Sequence, residues 1–420
     1  MNLLISTYRK VIVFVYILTK EGIFGIVRRI NNYLLRFKRI KPLKKKDKIY
    51  FSEDDKNKKT LLMINNSVPF YDRDAGSRSV FNYLKYFIEA RFNIKFIAND
   101  FYRHEPYTSV LEQMGIEVLY GLYYAINWKK WIIKNGKYID YVFLNRPLSI
   151  KYIDVVKKAT SAKIIYCGHD LHFLRELREY NNTGNKFLPK ISEMTKKTEL
   201  EIMRKSDYVY LFSETEKDII KEIAPDVNCK TVPLVFFNKS HQKKYNPLKK
   251  DLIFVGGFKH SPNIDGILWF INDVFPQVQQ EIPEIVINII GSNAPKKIKK
   301  LEDINIKILG YVDDNTLEDY YNKCRVCVVP LRYGAGIKGK VLEAMYNQIP
   351  VITTNIGAEG LPDIDKCLSI EDDTNKFAKA LVELYYNEEL QQKLIEKSHK
   401  YIMKNYTMEK FNDIISVDIK

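Results

Sequence analysis

The chain has 420 residues, of which 46% are hydrophobic and 28% charged, a composition typical of a globular protein with room for two domains. Its net charge of +16 is uneven, because residues 1–60 carry 16 Lys/Arg and only 5 Asp/Glu. This placement favours an anionic membrane surface over nucleic acid as a partner. The five scattered cysteines indicate a reducing compartment, and Cys327 of the single CxxC lies in an apolar run typical of a buried strand.

Residues 1–48 form a segment of their own. The apolar run Val11–Leu18 is too short to cross a bilayer, which needs about 20 residues. Basic residues precede it as in an export signal, but no small-residue cleavage site follows. Between residues 23 and 37, apolar residues recur at helical spacing with arginines among them. We interpret this stretch as an interfacial membrane anchor, with a helix packed on the domain as the alternative. The predicted location is cytoplasmic, peripheral at the inner face of the membrane.

Residues 60–238 alternate between short apolar runs and helical patterns, which predicts a parallel sheet with helices on both faces. The predicted strands are Leu61–Ile64, Ile94–Ala98, Tyr141–Leu144, Lys163–Tyr166 and Tyr208–Phe212, and the predicted helices include Gly76–Ala90, Ile150–Lys158 and Phe187–Lys205.

After a polar linker at Lys239–Lys250, residues 251–400 alternate in the same way. The predicted strands are Leu252–Val255, Val286–Ile290, Ile306–Leu309, Val326–Pro330, Val351–Thr354 and Leu368–Ile370, before a mainly helical tail that ends in residues 401–420. The predicted fold class is therefore α/β, with two doubly wound Rossmann-like domains that face one cleft at the carboxyl ends of their strands.

The most informative stretch is Pro330–Gly360, PLRYGAGIKGKVLEAMYNQIPVITTNIGAEG. Gly334 and Gly336 follow a strand-like run and allow a tight turn. From Ile337 the apolar residues recur at helical spacing, which predicts a helix starting there. A strand, a glycine turn and a helix are also common in α/β proteins that bind nothing at that point.

Charges in the first turns of that helix indicate a phosphate site. The helix amino end favours an anion, and Lys338 and Lys340 add positive charge. Glu343 shares a helix face with Lys340 and Gly336 at this spacing. Because a carboxylate accepts hydrogen bonds, we expect it to bind hydroxyls of a ribose or another sugar.

These residues resemble the donor-binding core of the GT4-type (group 1) glycosyltransferases with GT-B fold, in the variety with the motif GxGIKGKxLEAM. The resemblance covers roughly residues 60–405 and continues in FVGGFKHSPNIDGILWF, TTNIGAEGL, VPFYDRDAGSR and YCGHDLHFLRE. It implies a retaining, hexosyltransferase-like enzyme that moves a sugar from a nucleotide-sugar to a glycan or lipid-linked acceptor in bacterial surface polysaccharide biosynthesis. It also implies no cofactor, no obligatory metal, and a last helix that crosses back to the first domain.

The resemblance places nucleotide contacts at the end of the first strand of the second domain, at Gly256 and Gly257. The wider family carries an arginine and a lysine where this chain has Gly257 and Asn263. We therefore expect Lys338 and Lys340 to replace these diphosphate-binding cations, with Lys340 as a catalytic group.

The family's paired glutamates fall on Ala335 and Glu343, so the resemblance supports Glu343 as a nucleotide contact. Gly336 and Ile337 belong to the same predicted site, and Glu359 follows the next strand closely enough to join it.

In the first domain, Gly76 lies at the position of the family's glycine loop, flanked by Asp74 and Arg78. These residues are the predicted acceptor-side loop. Asp72 and Asp74 also spell D-x-D, for which we favour loop capping or acceptor contact over metal binding.

His169 and Asp170 end another predicted strand, where the family places an active-site histidine. We predict both as catalytic, with Asp170 orienting His169 or capping the next helix. His172 and Arg175 are weaker candidates. Two other functions stay open, a GT-B sugar-nucleotide epimerase and a non-catalytic nucleotide- or glycan-binding protein.

Overall fold

A computed structural model of the chain describes residues 57–419, so the predicted helix of residues 1–48 lies outside the described part. The described residues divide into two compact units, each built around one sheet. The first contains the described residues before Phe70 together with Tyr83–Leu211 and Lys217–Lys230. The second contains Phe70–Asn82, Phe212–Glu216 and the described residues from Thr231 onward. Within residues 57–419, every helix is too short or too polar to span a membrane.

The first sheet has the strand order β3-β2-β1-β4-β5-β6-β7, and its strand pairs from β1 to β6 are parallel. The strands are β1 Thr60–Asn65, β2 Asn93–Ala98, β3 Glu117–Leu119, β4 Tyr141–Asn145, β5 Lys163–Cys167, β6 Tyr208–Leu211 and β7 Cys229–Thr231. The helices along this stretch are α1 Ala75–Glu89, α2 Tyr107–Gln113, α3 Leu122–Asn135, α4 Ile150–Ala159, α5 His172–Thr183, α6 Leu188–Lys205 and α7 Glu214–Ile223, with 3₁₀ turns at Gly136–Tyr138 and Pro147–Ser149.

The second sheet is parallel throughout, in the order β10-β9-β8-β11-β12-β13. Its strands are β8 Lys250–Val255, β9 Ile287–Ile290, β10 Ile306–Gly310, β11 Cys324–Val329, β12 Val351–Thr353 and β13 Ser369–Ile370. Its helices are α8 Ser261–Trp269, α9 Phe275–Glu281, α10 Lys296–Lys299, α11 Asp314–Lys323, α12 Gly339–Tyr346, α13 Asn355–Ala358, α14 Thr374–Tyr386, α15 Glu388–Asn405 and α16 Met408–Ile415, with a π turn at Phe270–Val274 and a 3₁₀ turn at Ile364–Lys366.

Both sheets are doubly wound, as predicted. Their strand orders reverse between β1 and β4 and between β8 and β11. Ligands of such sheets bind outside the carboxyl ends of the strands at this switch point. In the second sheet these ends lead into the glycines at 256 and 257 and into the turn before α12, so the fold brings together two segments that lie about 80 residues apart.

The central strands are buried on both faces, which explains their continuous apolar runs. All four residues of Leu61–Ile64 are 0% exposed. Cys324 and Cys327 are likewise buried in β11 as free thiols, which confirms the interpretation of the CxxC as core packing. Burial raises the pKa of Cys324 to about 12, so this thiol stays protonated.

Candidate functional site

The turn between β11 and α12 carries much of the predicted donor site. Gly334 and Gly336 have φ angles of 148° and 70°, which favour glycine. Lys338 is extended and forms the N-cap, so α12 begins at Gly339. The prediction that the helix starts at Ile337 is therefore wrong by two residues. Gly336 therefore lies outside the helix. Its left-handed backbone breaks the helical spacing, so the prediction that Gly336 shares a helix face with Lys340 and Glu343 is also wrong.

Lys340 reaches back from α12 to the end of β8. Its ammonium donates a hydrogen bond to Asn263 Oδ1 and lies 4.8 Å from the centre of the Phe254 ring. A Cβ on Gly256 would lie 2.6 Å from Lys340 Nζ, so glycine is needed for the ammonium to take this place. Burial lowers the pKa of Lys340 to about 7, with the charge of Lys338 contributing in the same direction.

Asn263 is hydrogen-bonded both to the backbone at the end of β8 and to Lys340 on α12. Its amide nitrogen donates to the carbonyl of Gly257 at 2.8 Å, while its oxygen accepts from Lys340. A Cβ on Gly257 would meet only Ser292 Oγ, at 3.7 Å, so packing leaves room above this glycine. The Lys340 ammonium is thus hydrogen-bonded to Asn263, the residue at the position where the family has a lysine.

Lys338 has a different environment from Lys340. Its ammonium donates to the carbonyl of Gly336 and lies 3.6 Å from Glu359 Oε2. The side chains of Lys338 and Glu359 are only 7% and 10% exposed. The two predicted nucleotide contacts therefore form a buried ion pair that fastens the turn. Ile337 lies beside Gly360, where a Cβ would be 3.3 Å from its Cγ1.

Glu343 accepts a hydrogen bond from Arg78, whose Nη1 lies 2.6 Å from Glu343 Oε1. Arg78 also donates to the carbonyl of Tyr71 at 3.3 Å, and its Nη2 lies 3.5 Å from Asp314. Burial alone would lower the pKa of Arg78, but the carboxylates of Glu343 and Asp314 raise it above its ordinary value. The structure thus joins one residue of the predicted donor site to one of the predicted acceptor-side loop.

The acceptor-side loop is held by Asp74. Its carboxylate accepts from the backbone and the hydroxyl of Ser77, both at 2.8 Å, so Asp74 caps α1, and Gly76 lies in the first turn of that helix. Asp72 accepts from the Tyr311 hydroxyl at 3.0 Å. Among residues 57–419 we find no group of three or more His, Cys, Asp or Glu residues placed to hold a metal ion.

His169 lies at the end of β5 with a positive φ of 71°, and its Nε2 is 3.2 Å from Asn145 Oδ1. Burial, together with the positive charge of Arg146, holds the pKa of His169 well below its usual range. The imidazole is therefore neutral at neutral pH.

Asp170 pairs with Arg175 and lies 3.3 Å from His172 Nδ1. The N-cap of α5 is Leu171, so the prediction that Asp170 caps this helix is wrong. The amide of His172 donates instead to Glu199 at 3.0 Å, and that of Phe173 donates to the same carboxylate at 3.1 Å. Glu199, on α6, is fully buried and replaces the expected cap.

Comparison with known proteins finds a family match in the second unit. Residues 249–387 match the family model for glycosyl transferases group 1. The matched residues contain the whole second sheet, from β8 to β13. Over 187 residues it is 30% identical to an uncharacterized 44.6 kDa protein in the cps region of Klebsiella pneumoniae, an alignment covering 41% of this chain and 48% of that relative. The chain spans about half the length of the curated relatives it matches.

Solved structures resemble the chain over a larger part of its length. Sucrose-phosphate synthase from Thermosynechococcus elongatus matches with a TM-score of 0.66 and 14% identity, over 86% of this chain and 98% of that one. HepE from Anabaena, solved in complex with UDP and glucose, matches with a TM-score of 0.66 and 12% identity, over 86% and 99%. At these identities the likeness shows the fold alone, and it confirms the predicted α/β fold class of GT-B type.

Within the matched residues 249–387, the structure brings Gly256, Gly257 and Lys340 together at the end of β8, and Asn263 contacts all three. Asn263 was not among the predicted site residues, because in the sequence it stands out only as the position where the family has a lysine. Its polar side chain at the start of α8, facing the strand-end glycines, is the signal that would have found it.

Proposed function

We propose that the protein is a glycosyltransferase that moves a sugar from a nucleotide-sugar to a glycan or lipid-linked acceptor in bacterial surface polysaccharide biosynthesis. The match to the group 1 family model and the relative in a cps region support this assignment. We further propose that it works in the cytoplasm, peripheral at the inner face of the membrane. The observation that carries the proposal is the half-buried Lys340 ammonium at the end of β8, which lies over Gly256 and next to Gly257, a glycine with open space above it.

In the proposed donor complex, Lys340 meets the diphosphate of the nucleotide-sugar. The first amides of α12 add positive potential on the same side, since the helix begins one residue before Lys340. Glu343 lies one turn further along, and Arg78 donates to its first carboxylate oxygen. We propose that the second oxygen accepts a hydrogen bond from a ribose hydroxyl. UDP is the first nucleotide to test, because HepE was solved with it.

The proposed reaction breaks the bond between the anomeric carbon and the diphosphate oxygen. Negative charge grows on the departing diphosphate, and a fixed ammonium stabilises that charge more in the transition state than in the bound donor. The acceptor hydroxyl oxygen forms the new bond on the same face of the sugar, which gives retention, and its proton passes to the leaving diphosphate. Because Lys340 supplies the positive charge, we propose no obligatory metal and no further cofactor.

We keep His169 and Asp170 as proposed catalytic residues on the strength of the family resemblance. The lowered pKa of His169 restricts its part to that of a neutral hydrogen-bonding group. Asp170 is engaged by Arg175, which favours a positioning role for this carboxylate.

A binding screen of UDP, GDP, dTDP, CDP and ADP tests the proposal, followed by incubation with the matching nucleotide-sugars. We expect one diphosphate to bind best and Lys340→Gln to weaken it more than the corresponding monophosphate. Lys297→Gln is the matched control, since that lysine is exposed on α10. A protein that binds none of the five diphosphates would refute the proposed donor site.

A further inference from the structure

Helix α3 in the first unit presents an exposed apolar row. Leu122, Ile126 and Ile133 are 36%, 69% and 64% exposed, although all three are large aliphatic side chains. At 100° per residue they fall within about 40° of one another around the helix axis. Trp131 lies on the opposite side and is buried, so the helix is anchored to the sheet by its other face.

Lysines flank this row and no acidic residue accompanies them. Lys129 and Lys130 are exposed and lie on either side of the row at helical spacing. From Leu122 to Tyr138 the sequence contains no Asp or Glu. Tyr138 is 43% exposed just after the helix, adding an amphipathic ring of the kind that membrane interfaces favour. We call Leu122, Ile126, Lys129, Lys130 and Ile133 the α3 basic face.

We propose that the α3 basic face docks on an anionic lipid bilayer, in addition to any contact made by residues 1–48. In an interfacial helix the aliphatic side chains enter the boundary between headgroups and acyl chains, while the lysines reach anionic headgroups. The α3 basic face presents aliphatic side chains and lysines side by side on the helix surface. This contact does not depend on the proposed transfer reaction, because it uses no residue of the donor site.

Charge complementarity selects the bilayer over two other occupants. A second copy of the chain would set lysines against lysines across a two-fold axis, without an acidic residue from Leu122–Tyr138 to pair with them. The chain's own first 60 residues also carry an excess of positive charge, 16 Lys/Arg against 5 Asp/Glu, and would be repelled from this face.

A fluorophore placed on the face tests the contact directly in the full chain. Ile126→Cys, labelled with an environment-sensitive dye in a Cys229→Ser background, is mixed with vesicles of phosphatidylcholine containing about one-third phosphatidylglycerol. Ile304→Cys, at a position 81% exposed in the second unit, is the matched control. We expect a blue shift at 126 and none at 304. No shift at 126, or equal shifts at both positions, would overturn the proposal.

Substitutions measure how much the face contributes. Ile126→Asp combined with Ile133→Asp should weaken vesicle binding by at least about tenfold, since binding scales with buried apolar area. Leu248→Asp combined with Ile304→Asp removes two aliphatic side chains that are even more exposed and adds the same charge, but outside the α3 basic face, so it should have much less effect.

Lys129→Gln combined with Lys130→Gln should reduce the preference for phosphatidylglycerol more than Lys296→Gln combined with Lys297→Gln on α10. Nucleotide binding should stay unchanged in every variant, which separates this proposal from the proposed donor site. Equal vesicle binding in the face variants and their controls would refute the docking role. So would dimerisation through the face without vesicle binding.

Discussion

Lys340→Gln is the substitution that probes the proposed donor site most sharply, because Lys340 has a pKa near 7 in the free protein. Below this pH the ammonium is already charged and binding needs no proton. Above it most of the free protein holds a neutral amine, so binding a diphosphate must take up a proton. The affinity of the parent protein for a nucleoside diphosphate should therefore fall as pH rises from 7 to 9.

The size of both effects follows from the environment of Lys340. A single coupled proton limits the loss of affinity to about tenfold per pH unit. The ligand contributes little to this slope, since a terminal phosphate with a pKa of about 6 is largely ionised from pH 7 upward. At pH 7, removing one charge-assisted contact should cost roughly 1.5–3 kcal/mol, or about 10- to 150-fold in affinity. The glutamine variant should show weaker binding and no slope.

Calorimetric titration of UDP at pH 8, in two buffers with different ionisation heats, measures the proton uptake. We expect nearly one proton per UDP for the parent protein and for Lys297→Gln, and almost none for Lys340→Gln. If another diphosphate binds best in the screen, it replaces UDP in this assay. Equal affinity and equal proton uptake in parent and Lys340→Gln would refute the assignment of Lys340 to the diphosphate.

Three further substitutions separate binding from stability. Lys338→Ala removes the cation beside the buried carboxylate of Glu359 and should lower the free energy of unfolding by roughly 3–5 kcal/mol in urea titrations; unchanged stability would show that the pair does not fasten the turn. Glu343→Ala should weaken nucleotide binding by roughly 1.5–3 kcal/mol, whereas Arg78→Ala, which frees one oxygen of Glu343, should not weaken it. Equal losses in a binding titration would mean that the pair acts as a unit. Asp74→Ala should cost about 1 kcal/mol in the same unfolding assay, because α1 loses its cap, and no change would argue against capping.

The sheets were predictable because parallel strands buried on both faces leave continuous apolar runs in the sequence. The runs at β1, β4, β8 and β11 were all recognised within one or two residues of their ends. The strands β3 and β7 were missed, since three residues at a sheet edge are too few to form a pattern.

The site was predictable only in part, because the partners of its charged side chains come from distant segments. Lys338 and Lys340 look equivalent in the motif, yet one pairs with a buried carboxylate and the other meets a polar amide. The ion pair between Arg78 and Glu343 joins residues 265 positions apart. The capping of α5 by Glu199 could not be predicted from the sequence either, because the usual preference for a cap residue next to the helix points to Asp170.

Transfer of a labelled sugar tests the central claim most directly. The full-length protein is incubated with the nucleotide-sugar chosen by the binding screen, labelled in its sugar, and with membranes from the cells that make the protein. We predict that the label moves into a glycan or lipid-linked product, that one nucleoside diphosphate is released for each sugar transferred, and that Lys340→Gln slows both while Lys297→Gln slows neither. Donor that is bound but unchanged with every acceptor preparation, or converted equally well without any acceptor, would contradict the assignment as a glycosyltransferase.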